Sequence, residues 1–404
     1  MISGFYRDYV AEFDARLSNQ SHDGNRWRVN DETISLHTEF GDRWETQANG
    51  LLQIAVNENL RSLTAAELVM EVWGGHPHTQ TKRLIVNGKG AYPLPEVGTA
   101  DGHCTYSYPC IPLALHHLVT GMNAFQFTCE RGESFWGHFI IDAANVRCYL
   151  DERHSLGKLG LSDFDPQVVV SSSDDGDEIV LSLDIDDQQV QIIQRVDYFG
   201  RYYDFDDRGT NSEGGWHGFA QKGKWRNIVG TAVEAPFVVD WNTEMLPDQP
   251  LPMAFCAEIA LSNGLKYRTP IRDGIRLGDR PYSVRLVKCT TLPVPFWSRT
   301  GEECEAVFHM DVDAGQVEKA RLNVRIWDGG EGGVKHPFLL NNHPYAITSG
   351  KAVHDLVFTQ SAIDPEHLRT GENRFRLHSA TEHHGIEVLL PGPCVKIKFP
   401  REAR

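Results

Sequence analysis

Apolar and polar residues alternate with a period of two along most of this chain, and Gly, Pro, Asn and Asp break the alternation at short intervals. In the clearest run, Glu178 to Phe199, Ile179, Leu181, Leu183 and Ile185 fall on one side of a strand. After Asp186-Asp187, Val190, Ile192, Val196 and Tyr198 fall on one side of the next. The pattern predicts a hairpin with one buried face. Beyond the first twenty residues no segment carries a long helical stripe, so the expected fold is all-β.

The chain also resembles itself. "ELVMEVWGGHPHTQTKRLIVNG" (67–88) aligns with "RLNVRIWDGGEGGVKHPFLLNN" (321–342), with Trp73 and Trp327 at the same distance before Asn87 and Asn341. "LVTGMNAFQF" (118–127) aligns with "LRTGENRFRL" (368–377), and each copy returns as a strand, "HFIIDAANVRCYL" and "IEVLLPGPCVKIKF". One strand order is used twice. Gly121 and Gly371 suit a backbone position with positive φ, and Asn123 and Asn373 can bond local backbone at a strand entrance.

These repeated motifs resemble the galactose-binding-like jelly roll, a β-sandwich of carbohydrate-binding modules and of sugar-binding accessory domains of β-galactosidases. There an "NG" hairpin follows a central strand and an "L-x-x-G-x-N" turn leads into a late one. The likeness spans about 130 residues at the front and about 110 at the back. Between the copies, "GTAVEAPFVVDWNTEMLPDQPLPMAFCAEIALSNGLKYRTP" (230–270) resembles bacterial Ig-like domains through Ala235, Pro236, Phe237, Trp241, Thr243, Leu246, Pro247 and Asp248, with Gln249 in place of a usual glycine. The expected organisation is a jelly roll over 1–155, an Ig-like domain over 165–285 carrying a long aromatic and acidic insertion at 201–229, and a second jelly roll over 286–404. The resemblance implies fold more directly than ligand.

Length and charge narrow the functional classes. The 404 residues exceed one compact core. The formal charge of −16 disfavours nucleic acid and anionic lipid, and no apolar run approaches a membrane span. Charged residues interrupt the first twenty positions, so no signal peptide is read and a cytoplasmic location is expected unless a leader has been removed. The eight cysteines lack metal spacing and are expected as free, mostly buried thiols; Cys104 and Cys110 are the only two near enough in sequence to suggest a bridge.

Four stretches carry candidate chemistry. In "WGGHPHT", His76 and His78 lie two residues apart on an extended segment, followed by Arg83, but the second copy lacks the pair, which favours a ligand-facing loop over a metal site. "DGHCTYSYPCIP" and "GESFWGHF" add His103, Tyr106, Tyr108, Trp136 and His138, flat rings and polar tips of the kind sugar recognition uses, or plain core aromatics. The insertion holds Tyr202, Tyr203, Trp216, His217 and Trp225. Its "DFDDRG" places Asp204 and Asp206 as in a calcium loop, although Arg208 stands where a third oxygen ligand belongs, so calcium is a weak expectation and no other cofactor is expected. "SATEHHGIEV" offers Glu382, His383, His384 and Glu387 as an acid and a base.

The preferred reading is a carbohydrate-associated protein that binds a glycan or other neutral sugar. A glycan-cleaving hydrolase or lyase with an interdomain site is the alternative, and a structural assembly protein, with a homo-oligomer as its partner state, is the third.

Overall fold

The computed structural model describes residues 2–11, 27–30, 51–95, 97–130, 138–151, 160–173, 176–221, 223–346, 355–382 and 384–401. In the first jelly roll, Leu51–Val56, Gly121–Glu130, Gln80–Val86 and Gly90–Pro93 form one sheet. It faces Leu63–Trp73, His138–Leu150, Cys110–Leu113 and their neighbours. Alternation decides the facing: Leu52, Ile54, Leu84, Val86, Phe125 and Phe127 are buried against Leu68, Met70, Val72, Phe139, Ile141 and Val146. Each such side chain contributes about 1.5–3 kcal/mol of burial. The second jelly roll repeats the arrangement with Glu303–Met310, Gly371–His378 and Phe338–Leu340 in one layer and Lys319–Gly329, Asp355–Ile363, Gly385–Val388 and Cys394–Pro400 in the other.

The repeat extends to its polar bonds. Asn123 and Asn373 are fully buried. The Asn123 side chain accepts from Val119 N and Asn87 Nδ2 (both 2.8 Å) and donates to Val119 O and Gly121 O (both 2.8 Å). Asn373 accepts from Arg369 N (2.9 Å) and Asn341 Nδ2 (2.7 Å) and donates to Arg369 O (2.8 Å) and Gly371 O (3.1 Å). Asn87 and Asn341 share φ values of 50° and 49°, and each sends its amide to a histidine carbonyl, His117 O or His367 O. These amides stand in for backbone partners at the strand entrance, as the sequence predicts.

The middle sandwich departs from the expected hairpin. Glu178–Asp184 pairs with Gln167–Ser172 and Val239–Asn242, whereas Ile193–Arg201 pairs with Met253–Leu261 in another sheet. A one-turn helix, Asp187–Val190, capped by Asp186, makes the crossing. Both segments have one apolar face because Ile179 and Leu181 pack in the same core as Val196 and Tyr198 from the opposite layer. Alternation reports burial of a face and leaves the pairing partner open.

The first two sandwiches share a sheet. Gly4–Val10 pairs along Tyr6–Val10 with Asn145–Tyr149 of the jelly roll and along Gly4–Tyr6 with Lys266–Arg268 of the middle unit. The ion pair of Lys266 with Asp8 (3.2 Å) crosses the same joint, flanked by Arg147 with Asp8 (2.9 Å) in the first unit and by Glu258 with Lys266 (3.4 Å) and Arg268 (3.3 Å) in the middle one. The strand opening the second jelly roll is Tyr282–Thr291, so residue 286 lies inside it. All eight cysteines are free thiols, Cys104 and Cys110 included. Among the described residues no helix is long and apolar enough to cross a membrane.

Two aspartates shape the insertion. Asp206 accepts from Arg208 N (3.2 Å), Thr210 Oγ1 (3.2 Å), Asn211 N (2.6 Å) and Ser212 N (3.3 Å), closing the loop on itself. Asp207 accepts from Gly218 N (3.0 Å) and Asn227 Nδ2 and pairs with His217 Nδ1 (3.1 Å). The other His217 nitrogen faces Tyr202 O at 2.8 Å, and the ring stacks on Tyr202 at 3.9 Å. With an acceptor before each nitrogen, the imidazolium satisfies both positions. Burial opposes that charge, but Asp207 outweighs it: His217 is raised above its ordinary 6.5 and Asp207 is lowered below 3.8. Gln249, which replaces the Ig-like glycine, accepts from Tyr203 N (2.7 Å) and donates to Tyr203 O (2.8 Å), tying the insertion down.

Two outcomes follow from these networks. Asn123→Ala and Asn373→Ala should each lose about 2–4 kcal/mol in urea unfolding, because each strands several buried groups; a loss below about 1 kcal/mol at either site would contradict the network's role. The Asp207–His217 pair contributes most between the two ordinary values, above 3.8 where the lowered Asp207 is ionised in both states and below 6.5 where the raised His217 is charged in both. Its contribution fades as pH rises past 6.5. Asp207→Asn should therefore cost about 3–5 kcal/mol at pH 6 and flatten the melting temperature's decline above pH 6.5, as followed by thermal unfolding across pH.

Candidate functional site at the seam between the jelly rolls

Trp73 and Trp327, the matched tryptophans of the repeat, meet in one buried cluster with Cys104, Tyr106, Tyr108, Ile140, Phe219, Leu356 and Leu389. The strand registers make the contact copy against copy. Trp73 is paired with Tyr106 and Ile140, and Trp327 with Leu356 and Glu387. Glu387 thus occupies the place of Ile140, a carboxyl where the first copy has a hydrocarbon. A backbone bond from Leu390 N to Cys104 O (3.0 Å) joins the two units beside it.

Glu387 Oε2 accepts a 3.0 Å hydrogen bond from Trp73 Nε1. Burial pushes the acid up to about 7, against the opposing pull of that bond and of the Arg299 charge. Trp297 lies across from Glu387 on the neighbouring strand, half-buried, with the exposed Arg299 guanidinium 5.1 Å from its ring centre. His76 and His138 also pack against Trp73, with ring centres 5.3 and 5.6 Å from the indole and 4.9 Å from each other. His138 is buried and His76 half-buried.

The glycines of "WGG" allow this approach. A Cβ on Gly74 would sit 1.9 Å from Thr105 Oγ1, and one on Gly75 would sit 2.2 Å from His138 O. Gly75 also has φ of +106°, a region that disfavours side chains. The pair draws the loop onto the strand carrying His138 and sets His76 beside it.

Of the four histidines that might have shared a cleft, the structure brings together His76 and His138. His103 lies on the turn beside Gly98, and His217 is locked inside the insertion. His78 places Nδ1 3.3 Å from Ala100 O. Arg83 pairs with Glu130 at 3.2 Å on the outer face. Tyr106 donates to Asp142 (2.8 Å) and is buried in the seam with Tyr108, so both rings are core. Tyr203 is half-buried and held by Gln249. Trp216 is half-buried, with the Arg201 guanidinium 6.0 Å from its ring.

Glu382 and His384 are exposed. Trp136 and His383 lie outside the described residues. Asp204 pairs with Lys396 (2.9 Å), and Asp206 accepts from four donors of its own loop. Among the described residues no three His, Cys, Asp or Glu gather as a metal site would require. Sequence reasoning missed Trp297 and Arg299. The sequence signal that points to the seam is Glu387 itself, a carboxyl on a returning strand whose first copy begins with the hydrocarbons Phe139 and Ile140.

The arrangement holds a carboxylic acid that changes charge near neutrality, beside two imidazoles and indole faces. No protein-family model matches this chain, and no curated protein matches it. Solved structures overlap it weakly. A β-porphyranase of glycoside hydrolase family 86 from the human gut bacterium Bacteroides plebeius aligns at 10% identity over 59% of this chain and 38% of that one, with a TM-score of 0.27. A β-glucuronidase from an uncultured Clostridium sp. aligns at 11% identity over 74% of this chain and 48% of that one, with a TM-score of 0.20. This chain spans less than half the length of either, and overlaps of this size set no constraint on its activity.

Proposed function

We propose that the protein recognises a carbohydrate at the seam between its two jelly rolls, with His76, Trp297 and Arg299 as the contacts open to solvent and Glu387 as the buried polar anchor. The observation that carries this reading is the convergence of Trp73, His76, His138, Trp297 and Glu387 at one place. Indole faces suit the C–H faces of a pyranose, and imidazole, guanidinium and carboxyl groups suit its hydroxyls. The second reading, a glycan-cleaving enzyme, draws support from one specific feature: Glu387 is held protonated up to about pH 7, as a general acid requires. Its lone carboxyl would then act with His76 or His138 in place of a second carboxylate.

Calorimetric titration with a panel of neutral oligosaccharides tests the binding reading. Saturable binding is expected, weakened at least about ten-fold, or about 1.4 kcal/mol, by Trp297→Ala. An unresponsive panel, or unchanged affinity in that variant, would sink it. Release of new reducing ends or unsaturated products that Glu387→Gln abolishes would favour the enzyme.

Glu387 also predicts a pH signature. Its folded value lies above the ordinary 4.5, so the unfolded chain sheds the proton first and stability falls as pH rises from 4.5 through about 7. Glu387→Gln should remove that decline, making the variant more stable than the parent at pH 8 by up to about 3 kcal/mol. Melting curves at pH 5 and pH 8 measure it; parallel curves for the two proteins would contradict it.

A further inference from the structure

Arg299 brings to the seam a charge that its surroundings leave unpaired. It lies two residues beyond Trp297, and its guanidinium stands 5.1 Å from the Trp297 ring centre. Trp297 is the cross-strand partner of Glu387, and Glu387 that of Trp327, so the three side chains share the face of the sheet that meets Trp73. Arg299 is exposed, and among the described residues it forms no ion pair. A ligand can therefore reach the guanidinium from solvent.

The backbone beneath Arg299 is fixed. Residues 299–302 form a tight turn closed by Glu302 N to Arg299 O (3.0 Å), with both central residues at positive φ, 55° at Thr300 and 84° at Gly301. Thr300 N and Gly301 N donate to Thr381 O and Ser379 O (both 2.9 Å), and Ser298 Oγ accepts from Ser379 N (2.6 Å). The register of this strand pair brings Gly385 across from Arg299, where a Cβ would stand 2.8 Å from Arg299 Cβ. Any other residue there would crowd the arginine's stem.

Glu387 is within reach of the Arg299 charge, yet it accepts from Trp73 Nε1, and burial keeps it an acid up to about pH 7, so below that pH it leaves the guanidinium uncompensated. A guanidinium keeps its proton and presents paired N–H groups that match the two oxygens of a carboxylate better than a single hydroxyl. A neutral sugar would use its hydrogen bonds and waste its charge. The formal charge of −16 opposes an anion at long range, but exposed charges are screened beyond about 8 Å at physiological ionic strength, so the local cation governs.

We propose that the seam prefers an acidic sugar, a uronic acid unit whose ring lies against Trp297 and whose carboxylate pairs with Arg299. This inference rests on carbohydrate recognition at the seam and adds to it the class of sugar and the residue that selects it. A neutral sugar of the same shape is the weaker ligand, because it makes the ring contact alone.

Titration calorimetry on the full chain at pH 6 and constant ionic strength tests the assignment. The probes are the methyl glycosides of glucuronate and galacturonate, those of glucose and galactose, which differ from them only in a hydroxymethyl group for the carboxylate, and sodium acetate. At least one uronate should bind saturably and about ten-fold or more tighter than its neutral counterpart, with acetate silent. Arg299→Gln, at an exposed position, should keep the fold and bring the uronate down to the neutral sugar's affinity; Arg299→Lys, which keeps the charge and loses the planar fork, should fall between. Trp297→Ala should weaken both sugars. Equal affinity for a uronate and its neutral counterpart overturns this inference and leaves recognition at the seam standing, and so does uronate binding that Arg299→Gln leaves unchanged. Acetate binding as tight as the uronates overturns the assignment to a sugar. Silence from every sugar overturns the inference together with the reading it rests on.

Discussion

Gly4–Val10 is hydrogen-bonded along both edges, to Asn145–Tyr149 on one side and to Lys266–Arg268 on the other. Parting the first and middle sandwiches would strand the peptide groups that Gly4–Tyr6 shares with Lys266–Arg268 and separate Asp8 from Lys266. The Tyr6 ring is fully buried under the joint's cations, with the Arg147 guanidinium 4.1 Å from its centre. With that joint fixed, the insertion projects from a rigid base. Its Phe205 and Phe219 reach Phe358 of the second jelly roll, and Asp204, Glu213 and Gln221 reach Lys396, Lys288 and Leu356 O. The third sandwich is therefore positioned through the middle one as well as by direct contact.

The two jelly rolls meet through equivalent surfaces, and the chemistry of those surfaces has diverged. Ile140 answers to Glu387 and Tyr106 to Leu356 in the paired registers, and Glu71 to Arg325 by their spacing from Trp73 and Trp327. The conserved part of the repeat is the asparagine network that sets strand entrances, which any jelly roll of this pattern needs. The changed part lies where the copies touch each other. Polar groups in such a contact are costly unless satisfied, so Glu387, buried beside an indole N–H and raised toward neutrality, is the place where function is best sought.

Much of this architecture was legible in the chain. The repeat, the roles of Asn123 and Asn373, and the all-β layering follow from residue pattern, because backbone bonding and alternation are local requirements. The hairpin expected over Glu178–Phe199 fails because alternation cannot tell an adjacent strand from one in the facing layer. The His76 loop was legible as an addition to the first copy. Its partners were not: Glu387 lies 314 positions from Trp73 in sequence, and contact at that range depends on docking. The insertion's acids read as a calcium loop by spacing; in the fold Asp206 accepts from its own loop and Asp204 pairs with Lys396. His217 likewise reads as chemistry, and the fold buries it between Asp207 and Tyr202 O.

The central claim is that the three sandwiches form one cooperative body, with functional groups held in the joints between them. Native-state amide hydrogen exchange across a denaturant series measures this most directly. The amides of Gly4–Val10, Asn145–Tyr149 and Lys266–Arg268 and the seam amide of Leu390 should open together, with one common free energy close to that of global unfolding. Release of the Leu390 amide and the second jelly roll's strands at a distinctly lower free energy, while the first two sandwiches stay protected, would contradict it.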